Sequence, residues 1–189
     1  RINGVGVGGL HEPDNVLDMG NSGTGARLLM GLIATHPIKV HLTGDDSLRK
    51  RPMGRVAAPL TQMGSKVIAR DGDKMPLTVI GSRMALPIEY SLPVPSAQIK
   101  SAVLLAGLNV PGETSVIETR PSRDHTELML QYFGANVNVT EESMDRRIIR
   151  LVGQPELEGK KITIPGDPSS AAFLIVAALI TPDSEITIS

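Results

Sequence analysis

Residues 60–67 read LTQMGSKV, and residues 130–137 read LQYFGANV, which is the same pattern of apolar and small side chains 70 positions later (60 to 130). Each stretch is predicted to end a helix before its glycine, Gly64 or Gly134, because glycine readily adopts the left-handed conformation that follows a helix. A strand is predicted after each glycine. The two stretches therefore indicate that one structural unit occurs twice.

Two further pairs of stretches support the repeat. They are LMGL at 29–32 with LAGL at 105–108, and LAGLNVPGETSVI at 105–117 with VAALITPDSEITI at 176–188. Their spacings are 76 (29 to 105) and 71 (105 to 176) residues, so a unit of about 70 residues occurs twice and begins a third time. Such a unit is too long for a solenoid of small repeats, which favours a pseudo-symmetric globular lobe.

Hydrophobic periodicity and the placement of glycine and proline predict the order β-α-β-α-β-β in each unit. In the first unit, helices are predicted at 21–33 and 53–63 and strands at 38–42, 66–69 and 77–80. In the second unit, helices are predicted at 96–108 and 123–133 and strands at 114–118, 136–140 and 147–151. Asp71-Gly72-Asp73 is predicted to form a hairpin turn, Ser96 is a predicted N-cap, and a last helix is predicted at 170–180.

Composition excludes several classes of protein. Of the 189 residues, 41% are hydrophobic and only 2% are aromatic, so a packed core is expected and aromatic stacking on nucleic acid is not. The net charge of −1 gives no broad basic footprint for nucleic acid or membrane, and the chain has no cysteine. The longest apolar run, 171–180, is shorter than the roughly 18 residues of a membrane span. We expect a cytoplasmic protein without a signal peptide. Because the chain starts at Arg1 and ends at Ser189, we also expect it to be part of a longer protein.

Several predicted helices begin at short polar or glycine-rich turns. The turns are NSGTG at 21–25, SAQ at 96–98, SRD at 122–124 and DPSS at 167–170. A helix N-terminus offers free N–H groups and a partial positive charge, which suits phosphate or carboxylate. Ordinary capping is the alternative, and it is favoured for any single turn. Recurrence at equivalent places of a repeated unit favours anion binding.

Arginines near these turns add to the case, because a guanidinium binds phosphate or carboxylate through two parallel hydrogen bonds and stays charged when desolvated. Arg27, Arg51 and Arg123 lie beside predicted helix starts. The remaining arginines singled out are interpreted as solvated surface charges: Arg49, Arg55, Arg70, Arg146 and Arg147. The glycine-rich stretch at 4–9 does not open a helix, and the histidines lack ligand spacing. No metal and no cofactor are expected.

Five segments in this order resemble the EPSP synthases, in their bacterial second class. The segments are LDMGNSGTGARL at 17–28, LTGDDSLRKRPM at 42–53, SAQIKSA at 96–102, PSRDHTE at 121–127 and PGDPSSAA at 165–172. The resemblance covers nearly the whole chain.

The resemblance implies roles for individual residues. Asn21, Ser22, Gly23, Thr24, Arg51 and Gln98 would lie at the phosphoenolpyruvate site, with Arg27 a weaker candidate. Ser96, Ala97, Gln98 and Arg123 would bind shikimate-3-phosphate. In the family, the position of Gly23 also faces the herbicide glyphosate, and tolerant members carry alanine there. The residues that transfer protons would lie outside this chain, so no catalytic residue is assigned and the chain alone is expected to be inactive.

The resemblance also implies the architecture, an α/β (α+β) lobe of the enolpyruvyl transferase and RNA 3′-phosphate cyclase type with helices inside and sheets outside. Residues 1–166 would form the substrate-binding lobe, and 167–189 the crossover and first elements of the other lobe. The two small-molecule substrates would be the only partners, with no nucleic acid and no membrane. The longer enzyme would be a monomer, whereas the apolar helix at 170–180 predicts self-association of this chain.

Three alternatives remain at this point. A UDP-N-acetylglucosamine enolpyruvyl transferase is disfavoured by the segments around Ser96 and Arg123 and by the absence of cysteine. An RNA 3′-phosphate cyclase is disfavoured by neutral charge and by the lack of its nucleotide motif. The third alternative is an anion-binding module without catalysis.

Overall fold

The computed structural model describes residues 2–143, 146–164 and 166–188. The chain divides into two compact units, Arg1–Gly159 and Lys160–Ser189. All the candidate site residues lie in the first compact unit. The lobe boundary predicted between residues 166 and 167 concerns the two lobes of a longer protein, and it stays a prediction.

The first compact unit consists of two repeats with one topology. Repeat 1 contains β1 (Leu17–Asp18), α1 (Gly23–Ala34), β2 (Lys39–Thr43), a short 3-10 helix (Leu48–Lys50), α2 (Gly54–Gln62), β3 (Lys66–Arg70) and β4 (Lys74–Ile80). Repeat 2 contains β5 (Glu89–Ser91), α3 (Ala97–Gly107), β6 (Glu113–Glu118), α4 (His125–Tyr132), β7 (Val137–Ser143) and β8 (Arg146–Val152). The sheet orders are β1-β2-β4-β3 and β5-β6-β8-β7, and in each sheet only the first pair is parallel. The predicted β-α-β-α-β-β unit is confirmed.

Local sequence rules explain where the helices begin and end. Ser22 caps α1 by accepting a hydrogen bond from the Gly25 N–H, and Ser96 caps α3 by accepting one from the Ile99 N–H. Gly64 and Gly134 follow α2 and α4 with φ of +104° and +97°, as predicted. Several boundaries differ by up to three residues from the predicted ones. For example, α4 begins at His125 rather than at residue 123. Ser122 donates its hydroxyl to Glu118 instead of capping the helix, which leaves Arg123 in the loop before α4.

The core lies between the two sheets, with the helices inside. Helix α3 is buried on nearly all sides, whereas β2 and β4 alternate buried and exposed side chains, as expected of sheets with one face covered. Helices α1 and α3 pack against each other at Gly31, where a Cβ atom would lie 2.2 Å from the carbonyl oxygen of Ala102. The glycine of the LMGL stretch therefore allows the central helices to approach closely. The expected arrangement of helices inside and sheets outside is confirmed.

The second compact unit contains helix α5 (Pro168–Ile180). Asp167 caps it by accepting a hydrogen bond of 2.9 Å from the Ser169 N–H. Pro165, the first residue of the last family-like segment, lies outside the described residues. Phe173 and Leu179 are 81% and 79% exposed, so α5 shows apolar side chains to solvent. Self-association through this helix stays a prediction. None of the helices among the described residues is both long and apolar enough to cross a membrane.

Candidate functional site

The turn between β1 and α1 is held by side chains of the loop that follows β2. Asn21 donates a hydrogen bond of 2.6 Å from Nδ2 to Oδ2 of Asp45, and its Oδ1 accepts one of 3.0 Å from Nη2 of Arg51. Asp45 also accepts a bond of 2.7 Å from the Leu48 N–H. The bond from Asn21, followed by that from Leu48, keeps the pKa of the Asp45 carboxyl below its ordinary value. The loop is thus fixed with a carboxylate that orients Asn21, and Asn21 in turn orients Arg51.

Two guanidinium groups lie beside the first residue of α1. Arg27 donates bonds of 3.3 Å to the carbonyl oxygens of Gly23 and Pro52, and Arg51 donates one of 3.1 Å to the Ser47 hydroxyl. A Cβ atom on Gly23 would lie 3.0 Å from Nη1 of both arginines. Burial, and then the charge of Arg51, lower the pKa of Arg27 from its ordinary value. Neither arginine forms a salt bridge with a carboxylate in the described part of the chain, so the pair favours an anion.

Gln98 joins this region to the start of α3. Its Nε2 donates a hydrogen bond of 2.7 Å to the hydroxyl of Thr24, which lies in the first turn of α1. Ser96 and Ala97 are the N-cap and first residue of α3, so the N-termini of α1 and α3 are linked side chain to side chain. Free N–H groups of both helices therefore lie in one region, as an anion site requires.

A cavity of about 270 Å³ lies at this junction and is lined by Arg27, Pro52, Arg55, Ser96, Gln98 and Ile99. The structure thus brings Arg27, Ser96 and Gln98 together, with Thr24 bound to Gln98. Arg123 is exposed in the loop before α4 and is not part of the cavity wall. A larger cavity of about 620 Å³ between α2 and β3 contains none of the candidate residues, and Asp73 is the one charged side chain in its wall.

Arg55 is exposed, in agreement with its interpretation as a surface charge, and it also lines the cavity together with Ser96 and Gln98. Arg55 is in the first turn of α2, and the packing of α2 beside α3 places it there. Three other arginines interpreted as surface charges, Arg49, Arg146 and Arg147, form ion pairs with Asp46, Glu142 and Glu141.

A group of buried charges between α3, β6 and α4 was not predicted from the sequence. Nζ of Lys100 lies 3.2 Å from Oε2 of Glu118 and 2.6 Å from Oε1 of Glu127, and the three side chains are 0%, 0% and 4% exposed. We call these three residues the Lys100 cluster. A lysine near the start of a largely apolar helix was the available signal, since lysine is almost never fully buried without a partner.

The fold and this arrangement define a class of protein: a lobe of two β-α-β-α-β-β repeats in which two helix N-termini are linked beside a cavity lined by two arginines. The family model "EPSP synthase (3-phosphoshikimate 1-carboxyvinyltransferase)" matches residues 2–189. The chain belongs to the EPSP synthase family.

Individual relatives agree with this assignment. Proteins named 3-phosphoshikimate 1-carboxyvinyltransferase are 62% identical over 188 residues in Parvibaculum lavamentivorans and 60% identical over 186 residues in Paramagnetospirillum magneticum. These alignments cover 100% and 98% of this chain but 42% of each relative. A solved EPSP synthase from Acinetobacter baumannii superposes with a TM-score of 0.80 at 47% identity, over 94% of this chain and 39% of that one. The chain therefore spans about 42% of the length of the curated relatives.

Proposed function

We propose that this chain forms part of the substrate-binding site of a 3-phosphoshikimate 1-carboxyvinyltransferase. The reaction would transfer the enolpyruvyl group of phosphoenolpyruvate to the 5-hydroxyl of shikimate-3-phosphate. The observation that carries the proposal is the hydrogen bond from Gln98 to Thr24, which joins a pair of arginines at α1 to the N-terminus of α3. Two anionic substrates that must react with each other need two adjacent anion sites of this kind.

The first anion site would take phosphoenolpyruvate. Arg51 would bind its phosphate or carboxylate, near the turn formed by Asn21, Ser22, Gly23 and Thr24. Arg27 would mainly add positive charge to the site rather than bind the substrate directly, because both of its described hydrogen bonds go to backbone carbonyls. Gln98 would lie between the two substrates.

The second anion site would take shikimate-3-phosphate. Ser96 and the Ala97 backbone would bind the phosphate at the N-terminus of α3, where N–H groups and the helix dipole favour negative charge. Arg123 would bind the same substrate from the loop before α4. We add Arg55, because it lines the cavity beside Ser96 and forms no hydrogen bond or ion pair with any residue that the structure describes.

The chemistry would be an addition followed by an elimination. The 5-hydroxyl oxygen attacks C2 of phosphoenolpyruvate and loses its proton, while C3 gains a proton. Phosphate then leaves C2 and C3 loses a proton, so that the double bond re-forms. The arginines and helix N-termini would stabilise charge on the phosphate groups. Proton transfer needs positioned acids and bases, which the family resemblance places outside this chain. No metal or cofactor takes part in this scheme, and a cytoplasmic location belongs to the same proposal.

A chimera tests the proposal. In the Parvibaculum relative, the segment equivalent to this chain is replaced by this chain, and phosphate release is measured with both substrates. We expect turnover of about 1 per second or more from the chimera. The isolated chain, assayed in parallel, is expected to release no phosphate.

Two results would count against the proposal. A folded chimera without activity would show that this chain cannot supply the substrate-binding structure. Turnover by the isolated chain at the rate of the chimera would show that this chain carries a complete active site.

A further inference from the structure

The Lys100 cluster is an unusual feature of the core of repeat 2. Two carboxylates, Glu118 at the end of β6 and Glu127 in α4, face one ammonium group on α3. Oε2 of Glu127 is buried and has no hydrogen-bond partner among the described residues. Removing three charges from water is costly, and ion pairing often fails to offset the cost. The cluster is therefore poorly explained as a means of stabilising the fold.

Repeat 1 shows that the fold does not need charges at this place. Ala26 lies four residues after the N-cap Ser22, as Lys100 lies four residues after the N-cap Ser96. Both backbone N–H groups donate to the carbonyl of their N-cap, at 3.0 and 3.1 Å, and both residues are 0% exposed. The same helical position is thus filled by alanine in one repeat and by lysine in the other.

The cluster connects two segments of the proposed shikimate-3-phosphate site. Lys100 is one helical turn after Ser96, and Glu118 accepts the hydroxyl hydrogen bond of Ser122, the residue before Arg123. A second buried bond of 2.6 Å joins the hydroxyls of Ser101 and Thr126 and links α3 to the first turn of α4. The loop at 119–124 is therefore held at both ends to the first turns of α3.

We infer that the Lys100 cluster is a positioning device for substrate binding. It fixes the loop that carries Arg123 relative to Ser96 and Ala97, so that both segments bind one molecule of shikimate-3-phosphate. Lys100, Glu118 and Glu127 do not touch the substrate and act through Ser122 and the loop. This inference rests on the proposed function. It adds the residues that hold the Arg123 loop in place relative to Ser96 and Ala97.

The main test replaces the whole cluster in the full-length chimera by Lys100→Met/Glu118→Leu/Glu127→Leu. Because no charge is left unpaired, such replacements are often neutral or stabilising. We expect an unchanged or higher melting temperature. The dissociation constant of shikimate-3-phosphate should nevertheless rise at least about tenfold, since misplacement of binding groups by roughly 1 Å costs up to about 100-fold. The KM of phosphoenolpyruvate should change less than about twofold.

The matched control is Glu113→Gln, which removes a carboxylate from the other end of the same strand. Glu113 forms an exposed ion pair with Arg150 and has no bond to the loop. It should leave both the melting temperature and the affinity for shikimate-3-phosphate unchanged. A stable triple variant that binds shikimate-3-phosphate as tightly as the parent chimera would overturn the inference.

A second variant decides the matter if the triple variant does not fold. Ser122→Ala leaves the buried charges in place and removes the bond that ties the loop to Glu118. The dissociation constant of shikimate-3-phosphate should rise at least about threefold, while the KM of phosphoenolpyruvate stays within about twofold of the value for the parent chimera. If the Ser122→Ala variant bound shikimate-3-phosphate as tightly as the parent chimera, the inference would be overturned. Failure of the parent chimera to bind shikimate-3-phosphate would instead overturn the proposed function, and the inference with it.

Discussion

The two repeats have the same topology and differ in where they place their charges. In repeat 1 the charged side chains lie at the surface of the cleft, where Arg27 and Arg51 bind neutral oxygen atoms beside Gly23. In repeat 2 the charges lie inside, where Lys100 faces two glutamates. The position of Lys100 is occupied by Ala26 in repeat 1, and both are fully buried.

This difference separates what the fold requires from what the site requires. Caps, glycines and apolar faces recur in both repeats, and these features are sufficient for the β-α-β-α-β-β unit. The arginine pair and the Lys100 cluster occur once each, so they are not required by the topology. Changes at the arginine pair should therefore affect anion binding, whereas changes in the Lys100 cluster should affect the position of the loop before α4 and, where a buried charge is left unpaired, stability as well.

The largest effect is expected for Lys100→Met in this chain. Removing the ammonium leaves Glu118 and Glu127 as buried carboxylates without a counter-charge, which typically costs about 3–5 kcal/mol. The free energy of unfolding, measured by urea denaturation, should fall by that amount. Lys66→Met, at an exposed position of β3, should change it by less than about 0.5 kcal/mol. A loss below about 1 kcal/mol for Lys100→Met would mean that the cluster is not paired as the structure has it.

The second prediction concerns the arginine pair of repeat 1. Arg51→Ala in the full-length chimera should lower the affinity for phosphoenolpyruvate more than the affinity for shikimate-3-phosphate. Truncating a buried charged hydrogen-bonding group costs roughly 2–5 kcal/mol, and the lower end applies because Arg51 is partly exposed. Arg49→Ala is the control, since Arg49 pairs with Asp46 at the surface. If Arg51→Ala weakened both substrates equally, Arg51 would only shape the lobe.

A smaller effect is expected for Arg55, which lies at the boundary between the repeats. Arg55→Gln should weaken shikimate-3-phosphate by about 1 kcal/mol, because an exposed guanidinium gains little from a single charge interaction. Unphosphorylated shikimate should bind the variant and the parent equally well. Arg83→Gln removes an exposed arginine outside the cavity wall and should change neither affinity. The assignment of Arg55 to the phosphate fails if its variant behaves as Arg83→Gln does.

The sequence predicts features that depend on near neighbours and misses those that depend on packing. Ser96, Gly64 and Gly134 were predicted because caps and helix ends obey local rules. The place of Arg55 depends on how α2 packs beside α3, and the partner of Lys100 at Glu118 is 18 residues away in another element. The family resemblance supplied residues on both sides of the cleft. It did not supply the bond from Gln98 to Thr24, which depends on the packing of the two repeats.

The smallest change in folding stability is expected for Gly23→Ala, which tests why repeat 1 has a glycine between its two arginines. Gly23 is not among the glycines with positive φ, so its backbone conformation suits alanine. The added Cβ would lie 3.0 Å from Nη1 of Arg27 and Arg51, which are the ends of flexible side chains. Gly→Ala at a compatible site stabilises by about 0.4–1 kcal/mol through the unfolded state, and this gain offsets the crowding. The free energy of unfolding should therefore change by less than about 1 kcal/mol.

The same substitution should change ligand discrimination. The two guanidinium groups must move by a few tenths of an ångström, and the methyl group takes up space beside them. Glyphosate is longer than phosphoenolpyruvate, so the full-length chimera with Gly23→Ala should lose more affinity for glyphosate than for the substrate. Gly20→Ala is the matched control: Gly20 has φ of +53° with open space around it, so alanine there strains the backbone by about 1–2 kcal/mol without touching either arginine. Equal losses for inhibitor and substrate in a stable Gly23→Ala protein would show that the glycine does not act as a steric gate. A loss of stability as large as that of Gly20→Ala would show instead that the backbone at Gly23 requires glycine.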